Sequence, residues 1–319
     1  MLLPHSNLQT FETYLQSKGL SPATIDRYKR LVVSFEAWYG SEDIINCQKK
    51  DILNYLSRLN NRNLQAISRN NALIALRHCF DYLLSQDLTA SNPTALIKLR
   101  GLNKRKLHHT CTPEELTELA DAYYFLEVKR TQEKQTAGAG QYLFERAYQA
   151  KMRNYTMLLF FIHQGLTTKE ILRLQTEDIQ LNKAMVTIPK GTQRGNARTL
   201  PLHATQTGVL MQYLNEIRPR LETNNTDETL FLPIPKNDPK AKKEAEASFK
   251  GFVRQLKRLN KNFSSFEQVR ASVITFWIKT QGLRKAQYLA GHKSIVSTEE
   301  YLPNYIEDLA EDITKFNPF

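Results

Sequence analysis

Apolar residues recur at helical spacing through most of the chain. Leu8–Lys18 reads as a short helix closed by Gly19. Ser21 and Pro22 supply an N-cap and a first-turn proline to a second helix. Ile25, Leu31, Val32, Phe35 and Trp38 then form its apolar stripe, and Gly40 ends it. Asp51–Leu59 is a third helix. Leu64–Leu84 is a fourth, with Leu73, Ile74, Leu76, Phe80 and Leu83 on one face, and Asn92-Pro93 opens a final short turn. Residues 1–100 therefore predict a small helical bundle.

The pattern breaks at Gly101–His109 (GLNKRKLHH), and residues 101–111 read as a basic linker. A second domain, 112–319, starts at Thr112, where Glu115 three residues on completes a capping box. Residues 127–143 are polar, carry two glycines, and read as a surface insertion or mobile loop. Phe144–Gln164 is a strong helix. The period then changes: residues 184–188 and 197–202 read as strands around a turn at Pro189–Asn196 that is rich in Lys, Arg and Gly. Thr205–Ile217 is helical, 224–243 is a polar loop, and helices resume near Glu246, with residues 305–319 as an amphipathic tail helix. The fold class is mostly α: a helical bundle followed by a mixed, mainly helical domain with a small β-hairpin.

Charge narrows the class of partner. Formal net charge is +12, and residues 1–110 hold 15 Lys and Arg against 8 Asp and Glu, a net of +7. Such an excess favours a polyanion through phosphate neutralisation and counterion release. Arg27, Lys29, Arg30, Arg69 and Arg77 on the bundle, with Lys104, Arg105 and Lys106 in the linker, are the candidate contacts; each taken alone is also what a solvated helix face would carry. No apolar run approaches the ~20 residues of a membrane span. The start, MLLPHSNLQ, lacks a signal-peptide pattern. Cys47, Cys79 and Cys111 lie far apart, an odd number that forms neither a disulfide framework nor a metal-ligand cluster. A cytoplasmic, nucleoid-associated protein without metal or cofactor is the expectation.

The chemistry concentrates near the end. Leu289-Ala290-Gly291-His292-Lys293-Ser294-Ile295-Val296-Ser297-Thr298-Glu299-Glu300-Tyr301 resembles the signature of the tyrosine recombinase family of phage-type and Xer-like integrases, with Tyr301 nine residues after His292. Gly165 to Leu174 with Asp178-Ile179 resembles the family's first box. Ile188-Pro189-Lys190-Gly191 through Arg198 to Leu202 resembles its hairpin, and Gln268-Val269-Arg270 its second arginine box. The four segments keep the family's order, and residues 1–100 resemble its SAM-like core-binding domain.

The resemblance implies a two-domain clamp on duplex DNA, with Tyr301 attacking a phosphodiester to leave a 3′-phosphotyrosyl link and a free 5′-oxygen. It needs no ATP because the link keeps the bond energy. Arg270 would clamp the phosphate, His292 would donate to a non-bridging oxygen, and Lys190 would protonate the 5′-oxygen. It also implies a cyclic tetramer on paired sites, held by the tail helix, with possible accessory DNA-bending proteins. Two positions depart from the pattern. Thr167 stands where the first arginine belongs, inside a Thr-x-x-Glu capping box, and Glu267 stands where a histidine usually lies. Arg173, Arg194 and Arg198 are the candidates to replace the missing cation. The alternatives are an impaired DNA-binding member acting as a partner or regulator, indifferent to loss of Tyr301, and a relaxing topoisomerase, against which the separate N-terminal bundle argues.

Overall fold

The computed structural model describes residues 5–40, 43–101, 110–136, 141–191, 195–221, 228–232 and 244–303. The chain divides into two compact units, 1–106 and 107–319, each with its own hydrophobic core. The Lys104–Lys106 cluster, the hairpin residue Arg194 and the tail 305–319 lie outside the described residues.

The first unit contains α1 (His5–Ser17), α2 (Pro22–Tyr39), α3 (Lys49–Asn61) and α4 (Ala66–Ser85). Ser21 caps α2 by accepting from the Thr24 N–H, and Gly40 ends it at φ +90°, as its sequence predicts. Phe11, Leu15, Val32, Phe35, Ile52, Leu76 and Phe80 form a core that is fully or almost fully dry.

In the second unit, α5 (Pro113–Tyr123) continues through a π-helical stretch, Tyr124–Lys129, into α6 (Arg130–Thr136), and α7 follows (Gln141–Gln164). The Thr112–Glu115 capping box is present. Of the surface insertion or mobile loop expected at 127–143, the loop is wrong: all of it except 137–140, which lies outside the described residues, is helical. The polar composition misled because the helix buries little, but what it buries decides. Val128 and Thr131 are buried, and Glu127 pairs with Lys151 of α7 at 2.7 Å.

Next come α8 (Thr168–Ile171) and a three-stranded antiparallel sheet in the order β1 (Ile179–Gln180), β2 (Met185–Ile188), β3 (Arg198–Pro201). The expected hairpin is there, with β1 added on the far side of β2. Alternation along β2 turns Val186 and Ile188 inward, and the pairing of Ile188 with Arg198 puts Arg198 and Leu200 on the same buried face. Among the described residues there follow α9 (Ala204–Gln212), a π-helical stretch at Tyr213–Ile217, α10 (Arg218–Leu221), α11 (Glu244–Leu259), α12 (Phe266–Gln281), α13 (Leu283–Ala290) and α14 (Val296–Glu299). Phe160, Phe161, Tyr213, Phe252 and Ile274 fill the centre of this unit.

Among the described residues no helix is long and apolar enough to cross a membrane, and no group of three or more His, Cys, Asp or Glu is placed to hold a metal ion.

Candidate active site

Three chain breaks, each forced by local chemistry, meet in the second unit. The first is the α7–α8 turn. Gly165 takes φ +56° against α12, where an added Cβ would lie 3.1 Å from Val273 and 3.2 Å from Trp277. Only glycine lets the backbone come that close, and its carbonyl then faces α12. Thr167 next caps α8, accepting from the Glu170 N–H, while the Glu170 carboxylate accepts from the Thr167 N–H at 2.8 Å and hydroxyl at 2.9 Å. The second break is the α13–α14 turn, where Gly291 is left-handed at φ +69°. The third is the root of the hairpin at Arg198.

Arg270, on the first turns of α12, reaches across all of this. It donates to the Gly165 carbonyl, to the Ala290 carbonyl at 2.8 Å and to His292 Nε2 at 3.1 Å, and lies 3.7 Å from Glu170. An apolar helix that carries one arginine needs an anionic partner for it, and Glu170 is that partner. Burial lowers the Arg270 pKa, while Glu170 and Tyr301 oppose the shift; an arginine keeps its charge through such changes.

Arginine has no acceptor, so His292 Nε2 must be the acceptor of that contact. The ring proton then sits on Nδ1 and is donated to Thr298 Oγ1, 2.9 Å away. The Tyr301 ring stacks beside His292, with centroids 5.9 Å apart and planes 14° apart.

Arg198 is the second cation. Its Nη1 lies 2.7 Å from Glu170 Oε1 and its Nε donates to the Leu289 carbonyl at 2.7 Å. Burial alone would raise the Glu170 pKa, but the Arg198 guanidinium, then Arg270 and the Thr167 N–H, hold it below the usual carboxylate range. Two cations, one carboxylate and a neutral histidine leave this cluster with a surplus positive charge.

Arg270, His292, Tyr301, Glu170, Thr167 and Glu267 face a cavity of about 1630 Å³. Arg173 lies on its rim, exposed, with its Nε donated to the Lys169 carbonyl at 3.2 Å. Lys190, two residues beyond β2, is exposed and does not line the cavity. In the first unit, Arg27 is exposed over the Tyr28 ring, Arg30 is exposed, Lys29 is paired with Glu12, and Arg69 is half-buried. Arg77 is used locally, its Nη2 donating to the Thr94 and Ile97 carbonyls.

Sequence reading missed two of these residues. Glu170 registered only as half of a capping box, and Thr298 not at all. A signal for Arg198 was present: it shares the buried face of β3 with Leu200, and Leu202 just beyond the strand is buried too.

Acid is expected to destabilise this unit. Burial first, then the Arg270 and Arg198 charges, hold the His292 pKa down to about 4, and burial together with the stacked His203, 4.6 Å away, does the same to His163. An unfolded histidine titrates near ~6.5. Between those values the unfolded chain binds more protons than the folded one, so stability falls as pH drops through that window, by about 2 kcal/mol per histidine. Denaturant melts at pH 7 and pH 4.5 should show the loss, and His163→Gln should remove about half of it. Equal stability at the two pH values would contradict the assignment.

Known proteins resemble this chain over most of its length. Residues 132–307 match the Phage integrase family and residues 8–87 match the Phage integrase N-terminal SAM-like domain. The chain is 25% identical over 314 residues to tyrosine recombinase XerD of Halalkalibacterium halodurans, covering 93% of this chain and 92% of the relative. Among solved structures, the XerH site-specific recombinase bound to its difH substrate in a pre-cleavage complex superposes with a TM-score of 0.66 at 18% identity, over 95% of this chain and 83% of that one. A lambda integrase tetramer bound to a Holliday junction gives 0.63 at 16% identity, over 93% and 76%. With more than half of the chain inside one family model and most of the first unit inside its companion, the chain belongs to the phage integrase family, the tyrosine recombinases, enzymes that cleave and rejoin DNA strands.

Proposed function

We propose that this protein cleaves and rejoins duplex DNA through a 3′-phosphotyrosyl intermediate on Tyr301, with neither metal nor ATP. The observation that carries the reading is the convergence of Tyr301, His292 and Arg270 on one cavity, with His292 bonded to Arg270 and stacked on Tyr301. The Tyr301 oxygen attacks phosphorus, the bond to the 5′-oxygen breaks, and the leaving oxygen takes a proton from Lys190 on the hairpin. The tyrosyl proton passes to solvent. Negative charge grows on the non-bridging oxygens and is met by the surplus positive charge around Arg270. When a phosphate oxygen takes the Nη2 bond of Arg270, His292 Nε2 is released. The ring then exchanges protons with solvent, losing the one on Nδ1 and gaining one on Nε2; the Thr298 hydroxyl turns to donate to Nδ1, and the Nε2 proton faces the phosphate. The reverse attack by a 5′-hydroxyl rejoins the strand. The bundle's exposed Arg27 and Arg30, and the Lys104–Lys106 segment, supply phosphate contacts. As with the lambda integrase tetramer on its junction, four copies act on paired sites, and residues 305–319 link neighbours.

A second reading rests on Thr167: without the first arginine, the protein binds DNA as a partner or regulator and does not cut. One experiment separates the two. Duplexes from a random-sequence library, nicked near the centre so that cleavage releases a short fragment, are incubated with the protein in EDTA. Covalent adducts are then recovered and sequenced. The expected result is an adduct on an enriched sequence, mapped to Tyr301 and absent with Tyr301→Phe. Enrichment of bound duplexes with no adduct, or adducts that persist in Tyr301→Phe, would sink the first reading.

A further inference from the structure

Arg198 comes from a strand, Glu170 from a helix, and 28 residues separate them, yet they form the closest ion pair in the site. The way Glu170 divides its two oxygens is informative. Oε1 is held by Arg198 at 2.7 Å. Oε2 accepts both bonds from Thr167 and faces Arg270 at 3.7 Å. The Arg198 side chain is 0% exposed and does not line the cavity, whereas Arg270 does. Its room is closed on the other side by Gly291, where an added Cβ would fall 2.3 Å from Arg198 Nη1. A guanidinium walled in on all sides can bias the cavity only through what it holds.

We infer that Arg198 is a positioning residue, which through Glu170 sets where Arg270 presents its guanidinium and so substitutes for the cation absent at Thr167. The inference rests on the strand-cleavage reading for its purpose, but not for its test. With Arg198 in place, the Glu170 charge is largely satisfied and Arg270 keeps its bonds to Gly165, Ala290 and His292. Without Arg198, the buried carboxylate has one cation left. It draws Arg270 inward, away from the cavity and from an incoming phosphate. Arg198 also donates to the Leu289 carbonyl, and the Asn196 N–H donates to the Gly291 carbonyl at 2.9 Å. The root of the hairpin that carries Lys190 is thereby tied to the turn that carries His292. This contact links general acid and phosphate cradle through one side chain.

The test uses the full-length protein and inorganic phosphate, titrated calorimetrically at low ionic strength, with the part lost in Arg270→Gln taken as the cradle's own binding. Arg198→Met is expected to weaken that binding by about tenfold, within the range for groups coupled in one network. Glu170→Gln keeps an acceptor for the Thr167 cap and is also expected to weaken it by about tenfold, although it removes a negative charge beside the anion. The double variant should be no more than about twofold weaker than either single one, because both act through one contact. If Arg198 touched phosphate directly, Glu170→Gln would tighten binding and Arg198→Met would lose the same factor in both backgrounds. Either result, or wild-type protein with no Arg270-dependent binding, overturns the inference. Thermal melts confirm that each variant folds. Should Arg198→Met not fold, Arg198→Gln, whose amide can still donate to the Leu289 carbonyl but offers Glu170 no charge, completes the same cycle. Adduct formation at Tyr301 plays no part in these measurements, so the strand-cleavage reading stands or falls apart from them.

Discussion

Arg270→Lys is expected to slow single-turnover adduct formation by ~10²–10³-fold, the loss typical of removing one preorganised donor from a developing oxyanion. Duplex binding should stay within about threefold, since many phosphate contacts share that term. The conservative replacement is severe because Arg270 uses the planar fork and not merely the charge. Its nitrogens serve two backbone carbonyls and the His292 ring at once, with Glu170 3.7 Å away. A lysine ammonium is a point charge with three donors on a flexible stem. It can stay near Glu170 or reach a phosphate, but it leaves the Gly165 or Ala290 carbonyl unpaired, and a lost partner for a buried acceptor costs ~1–3 kcal/mol. His292 Nε2 would lose its donor as well, so two groups facing the phosphate change together. Rates on the duplex recovered with wild-type protein decide the matter, and a loss below about tenfold would mean that Arg270 acts by charge alone.

How much of this was legible follows from the range of each interaction. Capping is local, so Ser21, Thr112 and Thr167 announced their helices, and all three caps are formed. Tyr301, His292 and Arg270 were visible as a register along the chain, and the fold brings them to one cavity. Helix 130–136 was not legible. What fixes it is a handful of burials and the ion pair from Glu127 to Lys151, and residues 24 apart leave no mark on a local window. The Arg198–Glu170 pair was hidden for the same reason and for one more: a capping role already accounted for Glu170, so nothing in the sequence asked for a second partner. Strand alternation in the folded chain turns Arg198 inward with Leu200, but an inward arginine identifies a missing anion without saying where it lies. The tautomer of His292 depends on two side chains from different turns and is a property of the folded site alone.

Gly291→Ala should destabilise the second unit by about 3 kcal/mol or more and abolish adduct formation. Two costs add. The left-handed backbone at φ +69° is disfavoured for any residue with a Cβ, by ~1–2 kcal/mol. The methyl would also fall 2.3 Å from Nη1 and 2.8 Å from Cζ of Arg198. Neither atom can yield cheaply, because Nη1 holds Glu170 and Nε holds Leu289 in a dry interior. Making room breaks a buried ion pair and leaves Glu170 with Arg270, 3.7 Å away, as its remaining cation; losing one partner of a buried pair outright costs ~3–5 kcal/mol. Gly19→Ala isolates the first cost: Gly19 has φ +71° and nothing within 4 Å of its absent Cβ, so about 1 kcal/mol is expected there. Denaturant melts of both variants measure the difference. Equal losses would mean that Arg198 can step aside freely, and the Glu170 contact would then be too soft to hold Arg270 in place.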